Sequence, residues 1–396
     1  MTGEIALIVE NPLTTRDCDR YGVNSFLARG FSVSVFDITK ITYPDYPETA
    51  VDQRSTIELI SLETSRDIRD MTRRLKKCDL AILLFGSAGV NMRNLPVFRG
   101  IAQSGVRTMA LRAEVSPSVL VPKSRFERLA DYARRWRRGQ VKPLDSILAR
   151  LPIRFLGLSP LDFIVNGGKK TAASRYTTQG PQTRRILAHA VDYDRAKFAP
   201  IERPPTENFA VFLDQYWPFH PDFIVNRIPV HETSASYHSA LLRYFEAIRK
   251  QTGIEVVVAA HPRAERKLLD DAFAGCQVWH GITPSLIAHS QFVIAHYSTA
   301  INLAVLHDKP VMLVATNAML ENDRMIGPLQ GYSNAIKEPV ISLDEGPVTA
   351  GIDKFLAKDR TEIYRSYVDD YVKRSDTPVA SFWDIVLAEV FPAVQK

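Results

Sequence analysis

Short apolar runs closed by polar or glycine-rich turns alternate along the chain with segments of helical spacing. In the first half the runs are EIALIVEN (4–11), FSVSVFDIT (31–39), CDLAILLFGSAG (78–89), VRTMALRAE (106–114) and LDFIVNGGKK (161–170). Amphipathic spacing predicts helices over 16–28 and 57–75, with a further helix before Val106 and two after Glu114. Near-continuous apolar runs read as strands buried on both faces, which is the mark of a parallel sheet covered by helices. The stretch Lys197 to Asn208, rich in proline and short polar residues, breaks the pattern and predicts a linker. A second set follows, with strands expected at 208–215, 254–260, 276–280, 291–296, 309–316 and 339–344. Helices are expected at 236–251, 265–274, 299–307 and 319–330, and a helical tail over 347–394. The pattern predicts an α/β protein of two doubly wound, Rossmann-like domains, residues 1–196 and 207–346, facing across a cleft, with C-terminal helices over 347–396. A repeat of roughly 20 to 50 residues is absent, which argues against a solenoid.

Composition adds little to this picture. The chain of 396 residues is 45% hydrophobic and 24% charged, ordinary values for a globular protein. Its apolar runs all fall short of the roughly 18 residues a spanning helix needs. The start, MTGEIALIVENPL, has an acidic residue before the apolar run and no basic leader, so it reads as a strand, not a signal peptide. Three scattered cysteines, Cys18, Cys78 and Cys276, form neither a disulfide framework nor a metal cluster. A cytoplasmic location is expected. The net charge of +6 is concentrated from Lys123 to Arg150, with Arg125, Arg128, Arg134, Arg135, Arg137, Arg138 and Lys142 between. That stripe is either a solvated helix face or a surface for an anionic partner such as a membrane, with the protein then peripheral at the inner membrane. Nucleic acid is not expected, because no recognition motif accompanies the charge.

Candidate chemistry sits where strands end, since ligands of open parallel sheets bind beyond the carboxyl ends of strands. Two apolar runs of the second half finish in a histidine: His261-Pro262-Arg263, and His296-Tyr297-Ser298-Thr299. Both histidines are expected to line one crevice. Ser298-Thr299 has the chemistry to cap a helix and aim its N–H groups at a phosphate, and Arg263 to clamp an anion. Asp214 and Gln215 end the first strand of the second set, ahead of the aromatic loop Tyr216, Trp217, Phe219. A carboxylate there suits a general base or a nucleophile on an anomeric carbon. In the first half, Glu10-Asn11, Glu114 and Asn166-Gly167-Gly168-Lys169 stand at strand ends and are expected to face the same cleft, with Glu114 as an acid/base toward an acceptor. Each has a plain alternative as a turn or cap. His220, His231 and His238 lack metal-site spacing and read as loop and helix residues. Gly86-Ser87-Ala88-Gly89 lacks the spacing of a dinucleotide fingerprint, and no phosphate-binding P-loop, GxSxG elbow or cysteine nucleophile motif is present.

On these residues the chain resembles bacterial glycosyltransferases of the GT-B type that use CMP-activated ulosonic acids, the Kdo transferases of capsule and O-antigen assembly above all. Bacterial sialyl- and polysialyltransferases are more distant. The resemblance rests on His261-Pro262 after a buried strand, on Ser298-Thr299 before a later helix, and on the opening IALIVENPLTTRDCDRYGV. It implies an acceptor-side first domain and a donor-binding second domain, with His261-Pro262 and Ser298-Thr299 on the nucleotide; Arg263, His296 and Gln215 are expected beside them from their places at the strand ends. It implies Asp214 as the catalytic carboxylate, a nucleophile in a retaining reaction, with His261 beside it; Glu114 stays a catalytic candidate from its strand-end position. An acceptor glycan, free or lipid-linked, would then meet the strand-end residues of the first half, Glu10, Asn11, Asn166, Gly167 and Lys169, placed there by position and not by the resemblance. The Asp/Glu-Asp-Gly motif of sialyltransferases is missing. No metal or other cofactor is expected, because an Asp-x-Asp motif is not seen in the expected cleft. Competing readings are an inverting CMP-sialic-acid-type transferase, a UDP- or GDP-sugar transferase or a polyol-phosphate transferase, and a non-catalytic scaffold at the membrane surface.

Overall fold

The computed structural model describes residues 3–46, 57–87, 89–120, 124–137, 139, 142–204, 206–220, 223, 230, 232–322, 324–345 and 351–392. Among the described residues, thirteen strands form two sheets, all parallel. The first seven are β1 (Glu4–Val9), β2 (Ser32–Asp37), β3 (Glu58–Ser61), β4 (Leu80–Leu84), β5 (Thr108–Arg112), β6 (Phe163–Asn166) and β7 (Arg184–Leu187), in the order β3-β2-β1-β4-β5-β6-β7. The other six are β8 (Phe209–Leu213), β9 (Glu255–Ala259), β10 (Val278–Trp279), β11 (Val293–Ala295), β12 (Val311–Ala315) and β13 (Val340–Ser342), in the order β10-β9-β8-β11-β12-β13. This is the two-domain α/β architecture with a helical C-terminal region.

The continuous apolar runs have the reason expected of them. Along β1, Ile5, Leu7 and Val9 enter one core while Ala6 and Ile8 enter another on the opposite face. Along β8, Ala210 and Phe212 point to one side, and Phe209, Val211 and Leu213 to the other. Period-two alternation with both faces buried leaves no polar side. Each sheet changes direction once, between β1 and β4 and between β8 and β11. Those two switch points are where the loops part and leave a crevice.

The structure corrects the predicted elements in several places. The expected helix over 57–75 is strand β3 followed by the helix Ser65–Leu75, which Thr64 and Asp67 open with a capping box. Strand β7 was not expected. Both are short strands at a sheet edge, with Glu58, Arg184 and Arg185 turned to solvent, so they lack the apolar run of a central strand. The helix expected over 16–28 is two, Thr15–Arg20 and Val23–Ala28, separated at Gly22, whose φ of 81° is left-handed. The helix expected over 319–330 is likewise two, Asn317–Leu320 and Ile326–Ile336.

The C-terminal tail is a clasp. Thr361–Tyr367 packs Tyr364 and Tyr367 into the second core. Val368–Val372 then crosses back, where Val372 C=O accepts from Ala190 N–H at 2.7 Å. The last helix, Phe382–Val390, buries Phe382, Trp383 and Val386 in the first core, with Trp383 edge-on to Phe26 at 4.8 Å. The crossing explains Asn166-Gly167-Gly168-Lys169. Asn166 is fully buried and its amide donates to Thr171 C=O. A Cβ on Gly167 would lie 2.8 Å from Ala113 O and 2.9 Å from Val372 O, and one on Gly168 would run into the Asp370 backbone. Lys169 pairs with Asp369, and Lys170 with Asp370. The turn expected to face an acceptor is therefore packed under the tail. Gly168→Ala should destabilise the protein by about 2 kcal/mol or more, because the obstruction is backbone and cannot swing away. Chemical denaturation reads the loss, with faster proteolysis after Tyr367 as a second sign.

Candidate functional site

The carboxyl edges of the two sheets meet around a cavity of about 250 Å³. From the first sheet come Val9, Glu10, Asn11, Leu13, Thr14, Asp17, Arg20 and Leu84, and from the second His220, His261, Pro262, Arg263 and Thr299. A second cavity of about 190 Å³ adjoins it, sharing Arg20, Tyr21 and Leu84 and adding Ser87, Arg112, Glu114 and Tyr176. Glu114 is ion-paired with Arg20, so the acid proposed for the acceptor and the arginine between the cavities act as one unit.

Glu10 is the first residue past β1, at the first sheet's switch point. Gly86 N–H, at the end of β4, donates to its Oε2 at 3.4 Å. Burial raises its pKa to about 7, against the pull of that N–H. A carboxyl group poised near neutrality in a cleft is suited to accept a proton. Opposite it, His261 Nδ1 accepts from Arg263 N–H at 3.2 Å, which leaves the proton of the neutral ring on Nε2. The ring of His220 lies edge-on to His261, with centroids 4.9 Å apart. His220, read as a plain loop residue, thus joins the site. Spacing in sequence could not have shown this, since the loop after β8 folds back beside the loop after β9.

Asp214 stands one layer behind the cavity. It is only 6% exposed and is not among the lining residues. One oxygen accepts from Tyr216 N–H at 3.0 Å and the other from His261 N–H at 3.3 Å. Burial raises its pKa to about 6 while those N–H groups oppose the rise. Its position ties the loop after β8 to the loop that carries His261. Gln215 Oε1, next along, is buried with no hydrogen-bond partner.

His296 does not reach the crevice. It is fully buried, its Nδ1–H donates to Val314 C=O at 2.7 Å, and its Nε2 accepts from Tyr237 O–H at 2.7 Å. Burial lowers its pKa to about 4, which keeps the ring neutral. The helix after it spans Ile301–Leu306 with Ala300 at its N-cap and no side-chain cap. Ser298 Oγ instead accepts from Ala300 N–H at 3.2 Å, closing a short turn. Of the Ser298-Thr299 pair, only Thr299 lines the cavity. Among the described residues there is no group of three or more metal-ligating side chains, and no helix is long and apolar enough to cross a membrane. His231 lies outside the described residues.

No family model matches the chain, and no curated protein matches it in sequence. Solved structures match its fold. A variant of the wall teichoic acid polymerase TagF soaked with CDPG overlaps with a TM-score of 0.56 at 10% identity, over 99% of this chain and 89% of that one. CalG4, the calicheamicin glycosyltransferase, overlaps at 0.51 with 12% identity, over 93% and 94% of the two chains. LpCGTa in complex with UDP overlaps at 0.50 with 12% identity, over 99% and 100%. At such identities the likeness is one of fold, and the fold is the GT-B architecture.

His296 makes a stability prediction. Its folded pKa of about 4 lies below the ordinary 6.5, so the unfolded chain binds a proton first as pH falls. Stability is full above pH 6.5 and is lost between 6.5 and 4, by about 3 kcal/mol for this group. Denaturant titrations of wild type and His296→Gln, at pH 7 and pH 4.5, should show the variant less stable at pH 7 and the gap narrowing at 4.5.

Proposed function

We propose that this protein is a glycosyltransferase that moves a sugar from a nucleotide-activated donor to a hydroxyl acceptor in the cleft between its two sheets. One observation carries the reading. A single cavity sets Glu10, a carboxyl group with a pKa of about 7, against His261, Arg263 and Thr299 at the strand ends of the other sheet. Cationic and N–H groups on one wall suit a leaving phosphate, and a carboxylate on the other suits an incoming hydroxyl. The finer reading takes a CMP-activated ulosonic acid as donor, in bacterial surface polysaccharide synthesis, supported by the likeness of His261-Pro262 and Ser298-Thr299 to the Kdo transferases.

In this reading the acceptor O–H gives its proton to Glu10 as its oxygen bonds to the anomeric carbon. The bond from that carbon to the phosphate oxygen breaks, and CMP leaves with the electron pair. His261 and Arg263 stabilise the phosphate. Asp214 holds the His261 loop through its backbone N–H, a positioning role in place of the nucleophile first expected. The product is then inverted at the anomeric carbon. A retaining outcome with a covalent sugar on Asp214 would restore the nucleophile reading.

A thermal-shift panel of CMP, CDP, UDP and GDP tests the donor. CMP should raise the melting temperature most, and His261→Ala should abolish that shift. No shift with any nucleotide at millimolar concentration would defeat the transferase reading, and a preference for UDP or GDP would defeat the CMP donor. Glu10→Gln should lower turnover by about 100-fold or more with donor binding intact. Wild-type activity should rise with pH through about 7 as Glu10 ionises. Stability runs the other way: the raised pKa means its contribution is full below 4.5 and is lost as pH climbs through 7. Glu10→Gln should therefore be more stable than wild type at pH 8, by about 1–3 kcal/mol.

A further inference from the structure

The helix Arg125–Arg137, which follows the Glu114 strand end, is turned inside out. It has no buried residue. A surface helix of a soluble protein directs its apolar stripe to the core and its charges to water. Here Phe126, Leu129, Ala133 and Trp136 form a stripe at helical spacing that faces solvent, with Phe126 85% and Trp136 57% exposed. The polar side faces inward: Asp131 and Arg135 are half-buried and lie beside Arg324 of the second unit. The next helix, Pro143–Leu148, repeats the arrangement. Its Leu148 packs on the core that holds Ala6 and Ile8, while Leu144 and Ile147 stay outside. Met92 N–H donates to Asp145 at 2.8 Å, which fixes this helix to the body. Two neighbouring helices with apolar faces in water form an exposed patch of the kind that marks an interaction surface.

Charge decides the occupant. Arg125, Arg128, Arg134 and Arg137 are exposed around the stripe, and Lys142 and Arg150 extend the positive rim. Lys123 and Arg138 lie outside the described residues. A second copy of the chain would bring arginines against arginines, since a twofold interface pairs a patch with itself. An anionic bilayer offers hydrocarbon for Phe126, Leu129 and Trp136, and phosphates for the arginines. A tryptophan at the border of such a face is the residue favoured at headgroup depth. We propose that these two helices lie in the plane of an anionic membrane surface and dock the protein there.

The test uses the full chain and vesicles of phosphatidylcholine with or without phosphatidylglycerol. Wild type should sediment with the anionic vesicles, less so in high salt, and the fluorescence of Trp136 should shift to the blue. The triple variant Phe126→Ser, Leu129→Ser, Trp136→Ser should bind at least about tenfold more weakly, with unchanged melting temperature because all three side chains are exposed. Arg128→Gln with Arg134→Gln should weaken binding and flatten its salt dependence. Equal binding by wild type and the triple variant would overturn the proposal, as would no binding to anionic vesicles. Lipid-free self-association that the triple variant removes, without vesicle binding, would reassign the face to a second copy. None of these readouts depends on donor turnover.

Discussion

A single buried carboxylate holds the second half of the cleft in shape. Asp214 accepts main-chain N–H groups from its own loop at Tyr216 and from the neighbouring strand exit at His261. A carboxylate that is nearly sealed from water costs several kcal/mol unless such donors surround it. The donors here belong to the two loops that must be adjacent for His220 and His261 to stand side by side. Tyr216 adopts a left-handed φ of 55° in that loop, a conformation unfavourable for a side chain with a ring. Satisfying the carboxylate and turning the chain at Tyr216 are one event, and the imidazole of His261 is placed as its result.

The first half solves a different problem. Glu10 has one long N–H contact and stays at the cavity wall. With little to stabilise its charge, burial wins and the group hovers near neutrality. Two carboxyl groups at equivalent strand exits thus take opposite parts, one supporting the loop behind the wall and one exposed to the cavity.

The parallel sheets were legible because strands buried on both faces leave continuous apolar runs, as in β1 and β8. The edge strands β3 and β7 were not, because half of their surface is solvent and their charged residues resemble a helix face. His261 and His296 carry the same signature, an apolar run ending in histidine, yet only one reaches the cavity. The difference is one residue of register. His296 directly follows β11 and continues the alternation beside Ile294, into the core that holds Phe212. His261 stands two residues past β9, where the chain has begun to turn. Asn166-Gly167-Gly168 looked like a ligand turn because glycine pairs permit close approach, and they do. What approaches is the chain's own tail, which no local pattern announces.

That tail gives the molecule a second covalent tie. The chain passes between the two units once between Leu187 and Phe209 and again between Tyr367 and Phe382. A body joined at one point can swivel in any direction, whereas one joined at two has an axis, the line through both joints. Any relative movement of the two units must satisfy both joints at once, and Val368–Val372 lies at one of them. The GT-B halves of this protein are therefore jaws on a hinge pin rather than beads on a string.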